Sequence, residues 1–404
     1  MKVLMLGWEL PPHNSGGLGV VCYHLCKALS KRDVSIDFIL PYSADHNIDF
    51  MKVTAATPHD VAYVMKMMST YDSYKFVGED GRIEWRDITD QQKLYEIAVS
   101  QIVAEQEYDI IHAHDWLTFR AALRAKEVTG CPIIAHVHSV ESDRAGGHYG
   151  NPLVHDIEEV MCHMADRIVA VSDYTRQAIV RDYGIPASKV DVVYNCLAHD
   201  DLMAFDQTDE NTHRYLTTLQ NQGWKVVGSV GRLTVMKGLP NLLRAIKLVV
   251  ERQPKTMFLI VGNGDQYLEL IQMAADLGIA KNVLFTGFLR GKAWRDAFSV
   301  ADLFVMPSIS EPFGLVAIEA IAYGSPTLVS KQSGVTEVMH STLKVDFWDV
   351  NEMASQIIAA VRDEPLRKEL HKGATKELES LTWQNAADQM IGLYNRQLAV
   401  GAAA

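Results

Sequence analysis

The carboxylates of Glu311 and Glu319 bracket one segment of SISEPFGLVAIEAIAYGSP (308–326). Pro312 suits the first turn of a helix, and Gly324 followed by Pro326 suits its end. The amides of Phe313, Gly314 and Leu315 then lie at a helix N-terminus, where unpaired N–H groups and the helix dipole attract an anion. Gly314 lets a phosphate come close to the backbone. Glu319 sits roughly 10 Å beyond Glu311 at 1.5 Å per residue, so the two can hold different parts of one elongated ligand. A plain structural role would make Glu311 a dipole partner and Glu319 a solvated charge. The apolar setting LVAIEAIA argues against that for Glu319, because a buried carboxylate needs a partner.

A second cluster is GRLTVMKG (231–238). Arg232 follows a strand-like run and Lys237 opens the next helical segment, so both cations can converge on one anion. Such a pair clamps a diphosphate and stabilises a leaving group without a metal. In PPHNSGGLGVV (11–21), Gly16 and Gly17 separate the first strand from the first helix. The spacing is not GxGxxG, since Cys22 takes the third glycine position, and the second strand ends at Leu40-Pro41 without an acidic residue. Two readings stay open: a tight turn, or a turn that presents backbone amides to a phosphate.

Two His-x-His pairs, His112/His114 with Asp115 next and His136/His138, end strands. Alternation puts each pair on one sheet face. Imidazole and carboxylate are zinc ligands, but the strands are separate and the spacing gives no ligand cluster, so no metal is expected. His138 is last on its strand and precedes the polar loop SVESDRAGGHYG (139–150), which makes it the best placed to meet a ligand. Glu141, Asp143 and Arg144 in that loop offer hydrogen bonds to a hydroxyl-rich acceptor. GNGDQ (262–266) carries no more than turn chemistry.

These residues need a scaffold, and the 404 residues exceed one ordinary core. The composition, 48% hydrophobic and 22% charged, is that of a packed globular protein rather than a disordered one. A net charge of −12 argues against a dedicated nucleic-acid surface, which needs a basic stripe. Five scattered cysteines without a CxxC fit reduced thiols and a cytoplasmic setting. No stretch reaches the ~18–20 apolar residues of a membrane span.

Short β-branched runs alternate with helical segments in two series. The first contains 3–7, 34–40, 110–114, 132–138, 167–172 and 190–195; the second, after a polar linker, contains 225–231, 256–262, 282–287, 302–307 and 325–330. This is an α/β pattern: two doubly wound Rossmann-like domains, over 1–200 and 216–380, facing each other across a cleft. The helical segment 383–400 is expected to pack back on the first. Residues 41–90 break the rhythm, and VAYVMKMM within them reads as a helix.

The constellation resembles retaining GT-B glycosyltransferases of family 4. It rests on Glu311…Glu319 in EPFGLVAIEA, on GRLTVMKG and on the N-terminal GGLG. The segment from HVHSVESDRAGG to VDVVYNCL is similar to the glycogen/starch-synthase-like members. The resemblance implies an acceptor-binding first domain and a second domain that takes a UDP-, ADP- or GDP-hexose, without cofactor or metal. Glu319 is then expected on the ribose, and the amides of Phe313, Gly314 and Leu315 at the phosphates and sugar. Glu311 would face the transferred sugar, with Arg232 and Lys237 at the departing diphosphate. The backbone near Leu289 would meet the base, Gly16 and Gly17 the diphosphate, and His138 the sugar. Asn14 stands where such synthases commonly have a lysine, and Asn195-Cys196 where they have Asn-Gly. A small sugar or glycoside acceptor is therefore as open as an α-glucan. The alternatives from other classes are a sugar-nucleotide epimerase, a metal-dependent hydrolase on the histidine pairs and a non-catalytic sugar-binding protein.

Overall fold

The central strands Lys2–Leu6, Ile110–His114, Ile133–Val137, Lys225–Val230, Thr256–Val261 and Leu303–Met306, buried at nearly every position, need cover on both faces, and helices supply it. The computed structural model describes residues 1–13, 16–56, 74–77, 83–86, 88–197, 202 and 210–403. The helix expected at VAYVMKMM lies outside the described residues. The chain divides into two units: Met1–Ser142, Tyr149–Cys196 and Thr382–Ala404 form the first, and Asp143–His148 with Leu197–Leu381 the second.

In chain order the first part contains β1 (Lys2–Leu6), α1 (Gly17–Ser30), β2 (Ser35–Leu40), β3 (Lys52–Ala55), β4 (Tyr74–Val77), β5 (Ile83–Arg86) and α2 (Ile88–Ala104). There follow β6 (Ile110–His114), α3 (Trp116–Thr129), β7 (Ile133–Val137), α4 (Glu141–Arg144), α5 (Pro152–Met164), β8 (Arg167–Ala170), α6 (Asp173–Tyr183) and β9 (Val190–Val192). The parallel sheet runs β3-β2-β1-β6-β7-β8-β9, and β4–β5 is an antiparallel ribbon. Strand β3 and the ribbon are additions to the sequence reading, in the interval 41–90 where the βα rhythm fails. Local chemistry sets several boundaries. The Ser172 hydroxyl accepts the Thr175 amide at the start of α6, and Asn151 accepts the Leu153 amide ahead of Pro152 in α5.

The second unit contains α7 (Arg214–Asn221), β10 (Lys225–Val230), α8 (Leu239–Arg252), β11 (Thr256–Val261), α9 (Tyr267–Asp276), β12 (Val283–Gly287) and α10 (Gly291–Ser299). It continues with β13 (Leu303–Met306), α11 (Leu315–Ala322), β14 (Thr327–Ser330), β15 (Leu343–Val345), α12 (Val350–Arg362) and α13 (Glu364–Leu378). Its sheet order is β12-β11-β10-β13-β14-β15, all parallel. The direction of winding reverses between β10 and β13, which opens a crevice at their carboxyl ends.

The last helix, α14 (Trp383–Ala403), belongs to the first unit. It buries Ala387, Met390, Leu393 and Tyr394. The Trp383 ring stacks on His24, and Arg32 forms an ion pair with Asp388. The Tyr394 hydroxyl is hydrogen-bonded to His112 Nδ1 at 2.6 Å, which ties the end of the chain to the central strand β6. Tyr394→Phe strips that buried imidazole of its partner and is expected to destabilise the fold by about 1–3 kcal/mol in urea titrations. A midpoint equal to that of the parent would show that the hydroxyl adds nothing.

Candidate functional site

The crevice at the ends of β10 and β13 holds two of the second-unit residues singled out above, Arg232 and Lys237. It is lined by Arg232, Lys237, Leu239, Pro307, Ser308 and Val316, among others. Lys237 lies on a short 3-10 turn, Val235–Lys237, that precedes α8; it does not open the helix, because Gly238 in the left-handed region separates the two. Its ammonium sits 2.6 Å from Glu311 Oε2, which also accepts the Ser308 hydroxyl at 2.8 Å. Glu311 Oε1 takes no hydrogen bond from the described residues, although the residue is only 7% exposed. Arg232 is half-buried and makes no side-chain hydrogen bond or ion pair among the described residues. The recess thus carries Arg232, unengaged among the described residues, together with the lysine and serine that hold one oxygen of the adjacent Glu311.

Backbone contacts fix this geometry. Ile309 N–H donates to the Met236 carbonyl at 2.8 Å, which links the lysine turn to the segment that carries Glu311. Glu311 forms an isolated parallel bridge with Ser333: its N–H donates to Gln332 O, and its C=O accepts from Gly334 N, both at 3.0 Å. Val335 N–H donates to Phe313 O at 2.7 Å.

Helix α11 begins at Leu315, with Gly314 as its N-cap. Pro312 and Phe313 therefore precede the helix, a correction to the placement of Pro312 in its first turn. The physical reason is Gly314, whose φ of +109° interrupts helical geometry. A Cβ at Gly314 would also stand 2.8 Å from Met306 Cε, a contact that the flexible methionine side chain could relieve, so it is the backbone conformation that asks for glycine. Leu315 keeps its place at the helix N-terminus. Phe313 has its side chain buried beside it.

Glu319 lies in the middle of α11, partly accessible as a residue but with its carboxyl enclosed by apolar neighbours. It has no hydrogen bond or ion pair among the described residues, and burial pushes its pKa up to about 7. The partner that a buried carboxylate requires is thus not supplied by the described protein. Leu289 is in the loop after β12, beside the exposed Phe288.

In the first unit, Gly16 is the N-cap of α1 and Gly17 its first residue. The Glu9 carboxylate accepts the Gly19 amide at 3.3 Å, within the same first turn. The two histidine pairs prove to be one assembly. Strands β6 and β7 are neighbours, with His114 opposite His136, which corrects the reading of these strands as separate. All four rings share a face: His112 Nε2 pairs with His136 Nδ1 at 3.1 Å, and His114 Nδ1 with His138 Nε2 at 2.9 Å. One nitrogen each from His112, His114 and His136 lies within 4.8 Å of the others, a spacing that a metal ion could use. His114 Nε2 instead meets Met5 Sδ at 3.1 Å, while His136 Nε2 and His138 Nδ1 are buried with no hydrogen-bond partner among the described residues.

His138 is not the solvent-facing end of its strand. It is half-buried, bonded to His114, and held at its backbone by Asp115 Oδ1, 2.7 Å from its N–H. Asp115 itself adopts φ +59°, a strained conformation for a non-glycine residue. Glu141 is 2% exposed, and its carboxylate accepts the Asn151 amide at 2.7 Å, so it anchors the polar loop from beneath. Arg144 ends α4 and is half-buried. Sequence reasoning missed Ser308 and the Met236 carbonyl. Ser308 could have been suspected, since Ser-x-x-Glu places a hydroxyl within reach of the carboxylate; a carbonyl leaves no trace in sequence.

Comparisons with known proteins give a consistent family. The profile described as "Glycosyltransferase Family 4" matches residues 15–201, and "Glycosyl transferases group 1" matches residues 217–377. An uncharacterized glycosyltransferase of Methanocaldococcus jannaschii is 28% identical over 409 residues, covering 98% of each chain. A glycogen synthase of Mycobacterium tuberculosis is 24% identical over 98% of this chain and 94% of its own. Among solved structures, sucrose-phosphate synthase from Thermosynechococcus elongatus superposes with a TM-score of 0.76 at 19% identity, covering 99% of both chains. Anabaena HepE, in complex with UDP and glucose, gives 0.73 at 19% identity over 98% of this chain and 100% of its own.

The imidazole stack makes stability depend on pH. Burial lowers the pKa of His112, His114 and His136 well below the ordinary value, and of His138 to about 3, with neighbouring rings adding to the effect. The folded protein therefore keeps these rings neutral where the unfolded chain protonates them. Stability is full above about pH 6.5 and falls as pH drops below it. Thermal melts at pH 7.5 and 5.0 are expected to differ by several degrees, and His138→Gln should narrow the gap. An unchanged gap would remove His138 from this linkage.

Proposed function

The chain belongs to the family 4-like glycosyltransferases of GT-B fold, and we propose that it is a retaining, metal-independent enzyme. In this reading it moves a hexosyl group, glucosyl in the first place, from a nucleoside diphosphate sugar to an acceptor hydroxyl. The observation that carries the reading is the recess lined by Arg232 and Lys237 at the winding reversal of the second sheet, with Glu311 held beside it by Lys237 and Ser308. A diphosphate that departs from a sugar gains negative charge in the transition state. An ammonium and a guanidinium already in position stabilise that charge without reorganising. Amides at the start of α11 add partial positive charge to the same region.

Glu311 Oε1 is the acceptor offered to hydroxyls of the transferred sugar, while Oε2 stays on Lys237. Glu319, unpartnered and enclosed, suits a ribose diol. The loop at Leu289 suits the base through its backbone. UDP is the first donor to try, on the strength of the HepE complex. The first unit takes the acceptor, an α-glucan or a small sugar or glycoside, near Glu141. In same-face attack, a leaving phosphate oxygen accepts the proton of the incoming hydroxyl, so no separate side-chain base is needed. Epimerisation of the donor is not favoured by any feature of the site.

Two tests follow from this assignment. With UDP-, ADP- or GDP-glucose and a panel of glucans and glycosides, the product should be the α-anomer by proton NMR, and EDTA should leave the rate unchanged. Lys237→Ala and Glu311→Gln should each lower kcat by about 100-fold or more. A β-linked product, or parental rates in both variants, would sink the mechanism.

The second test uses Glu319. A carboxyl raised to about 7 is destabilising once charged, so its share of stability is lost as pH rises from the unfolded value toward 7 and above. The loss is on the order of 3 kcal/mol. Glu319→Gln should therefore raise the melting temperature at pH 8 with little change at pH 4.5, while weakening donor binding about 10-fold in calorimetry. Unchanged donor affinity would remove Glu319 from the ribose.

A further inference from the structure

The loop Gly262–Asn263–Gly264 follows β11 as a plain turn in sequence, but its contacts single it out. Strands β10 and β11 pair in register from Lys225 and Thr256 to Val230 and Val261. The pairing continues past both strand ends. Gly231 N–H donates to Val261 O at 3.0 Å, Leu233 N–H to Asn263 O at 2.9 Å, and Gln266 N–H to Leu233 O at 3.0 Å. Leu233, after Arg232, is therefore bonded to this loop and Gly231, before it, to the end of β11 that leads into the loop, while the Arg232 side chain makes no bond of its own to the described protein. The loop is in turn tied to the next strand, with Gly262 N–H on Gly287 O at 2.9 Å.

The two glycines are required by contact with the arginine segment. A Cβ on Gly264 would lie 2.3, 2.6 and 2.8 Å from the O, C and N atoms of Leu233, all backbone. A Cβ on Gly262 would lie 1.8 Å from Gly231 O, and its φ of +137° already disfavours a side chain. The Asn263 side chain accepts the Gly264 amide at 2.8 Å and braces the turn. A turn that merely joined β11 to α9 would need no contact on both flanks of Arg232.

We propose that Gly262–Asn263–Gly264 is a positioning element that sets the backbone of Arg232 so that its guanidinium meets the donor diphosphate. The proposal rests on the diphosphate role proposed above for Arg232. An arginine on a mobile loop loses side-chain and backbone freedom on engaging a ligand, whereas one on a clamped loop has already lost the latter. Displacement by about 1 Å is enough to lower a rate about 100-fold.

The experiment titrates UDP, ADP and GDP into the full chain, then takes the tightest and its parent nucleoside as probes for Arg232→Ala, Gly264→Ala and the double variant. Gly264→Ala is expected to weaken diphosphate binding about 10-fold and leave nucleoside binding unchanged, a split that general loss of structure would not produce. In the Arg232→Ala background the same change should have less than a 2-fold effect. Asn263→Ala, which keeps the backbone contacts and is milder, should weaken diphosphate binding about 3-fold with a parental melting temperature. Equal effects of Gly264→Ala with and without Arg232, or equal losses for nucleoside and diphosphate, would overturn the positioning role. If Arg232→Ala alone binds diphosphate like the parent, the diphosphate assignment fails instead, and the proposal falls with it.

Discussion

The contact of Lys237 Nζ with Glu311 Oε2 at 2.6 Å is the interaction on which the second unit's chemistry depends. Two opposite charges with 21% and 9% of their side-chain surface exposed are worth having only in fixed geometry, because partial desolvation opposes their attraction. The surroundings supply that fixity through the backbone. The lysine turn is bonded to the loop before Glu311 by Ile309 and Met236, and Glu311 is gripped on its far side by Gln332 and Gly334. Among the described residues the pair leaves one carboxylate oxygen open and Arg232 unengaged.

The first unit is governed by a different constraint, four neutral imidazoles stacked on one face of β6 and β7. Ring centroids of neighbouring pairs lie 4.3 to 5.3 Å apart, too close for several positive charges to coexist. Burial and mutual repulsion act in the same direction and hold the rings neutral. The C-terminal helix α14 closes this stack at His112 through Tyr394, so the last residues of the chain take part in a core built mainly from its first half. The buried nitrogens left over at His136 and His138 mark where the polar interior is incompletely satisfied.

Much of the scaffold was legible because parallel strands covered on both faces must be short, apolar and β-branched, and the runs at 3–7, 110–114, 225–231 and 256–262 are all of these. Strand β3 escaped notice because KVTA is short, half-exposed and flanked by no clear βα rhythm. The second-unit site was legible for the same reason that it works. Residues that follow strand ends are carried to one edge of a doubly wound sheet, so Arg232, Lys237 and Glu311 could be placed together before their distances were known. The boundary of α11 was read three residues too early, because proline's preference for a first turn was weighed above the positive φ that Gly314 permits.

The sequence by itself determined two βα series, the strand ends at which charged groups gather, and the identity of those groups. Side-chain chemistry and periodicity are local properties, and the order of residues states them outright. Tertiary structure alone decided which groups meet. It made Lys237 and Glu311, 74 residues apart, a single pair while leaving Arg232 without a side-chain partner among the described residues. It merged two histidine motifs into one stack by placing β6 beside β7. It also brought Gly262–Asn263–Gly264, plain turn chemistry in sequence, against the backbone on both flanks of Arg232. Strand order and loop-to-loop hydrogen bonding are long-range consequences of packing, and no window of sequence contains them.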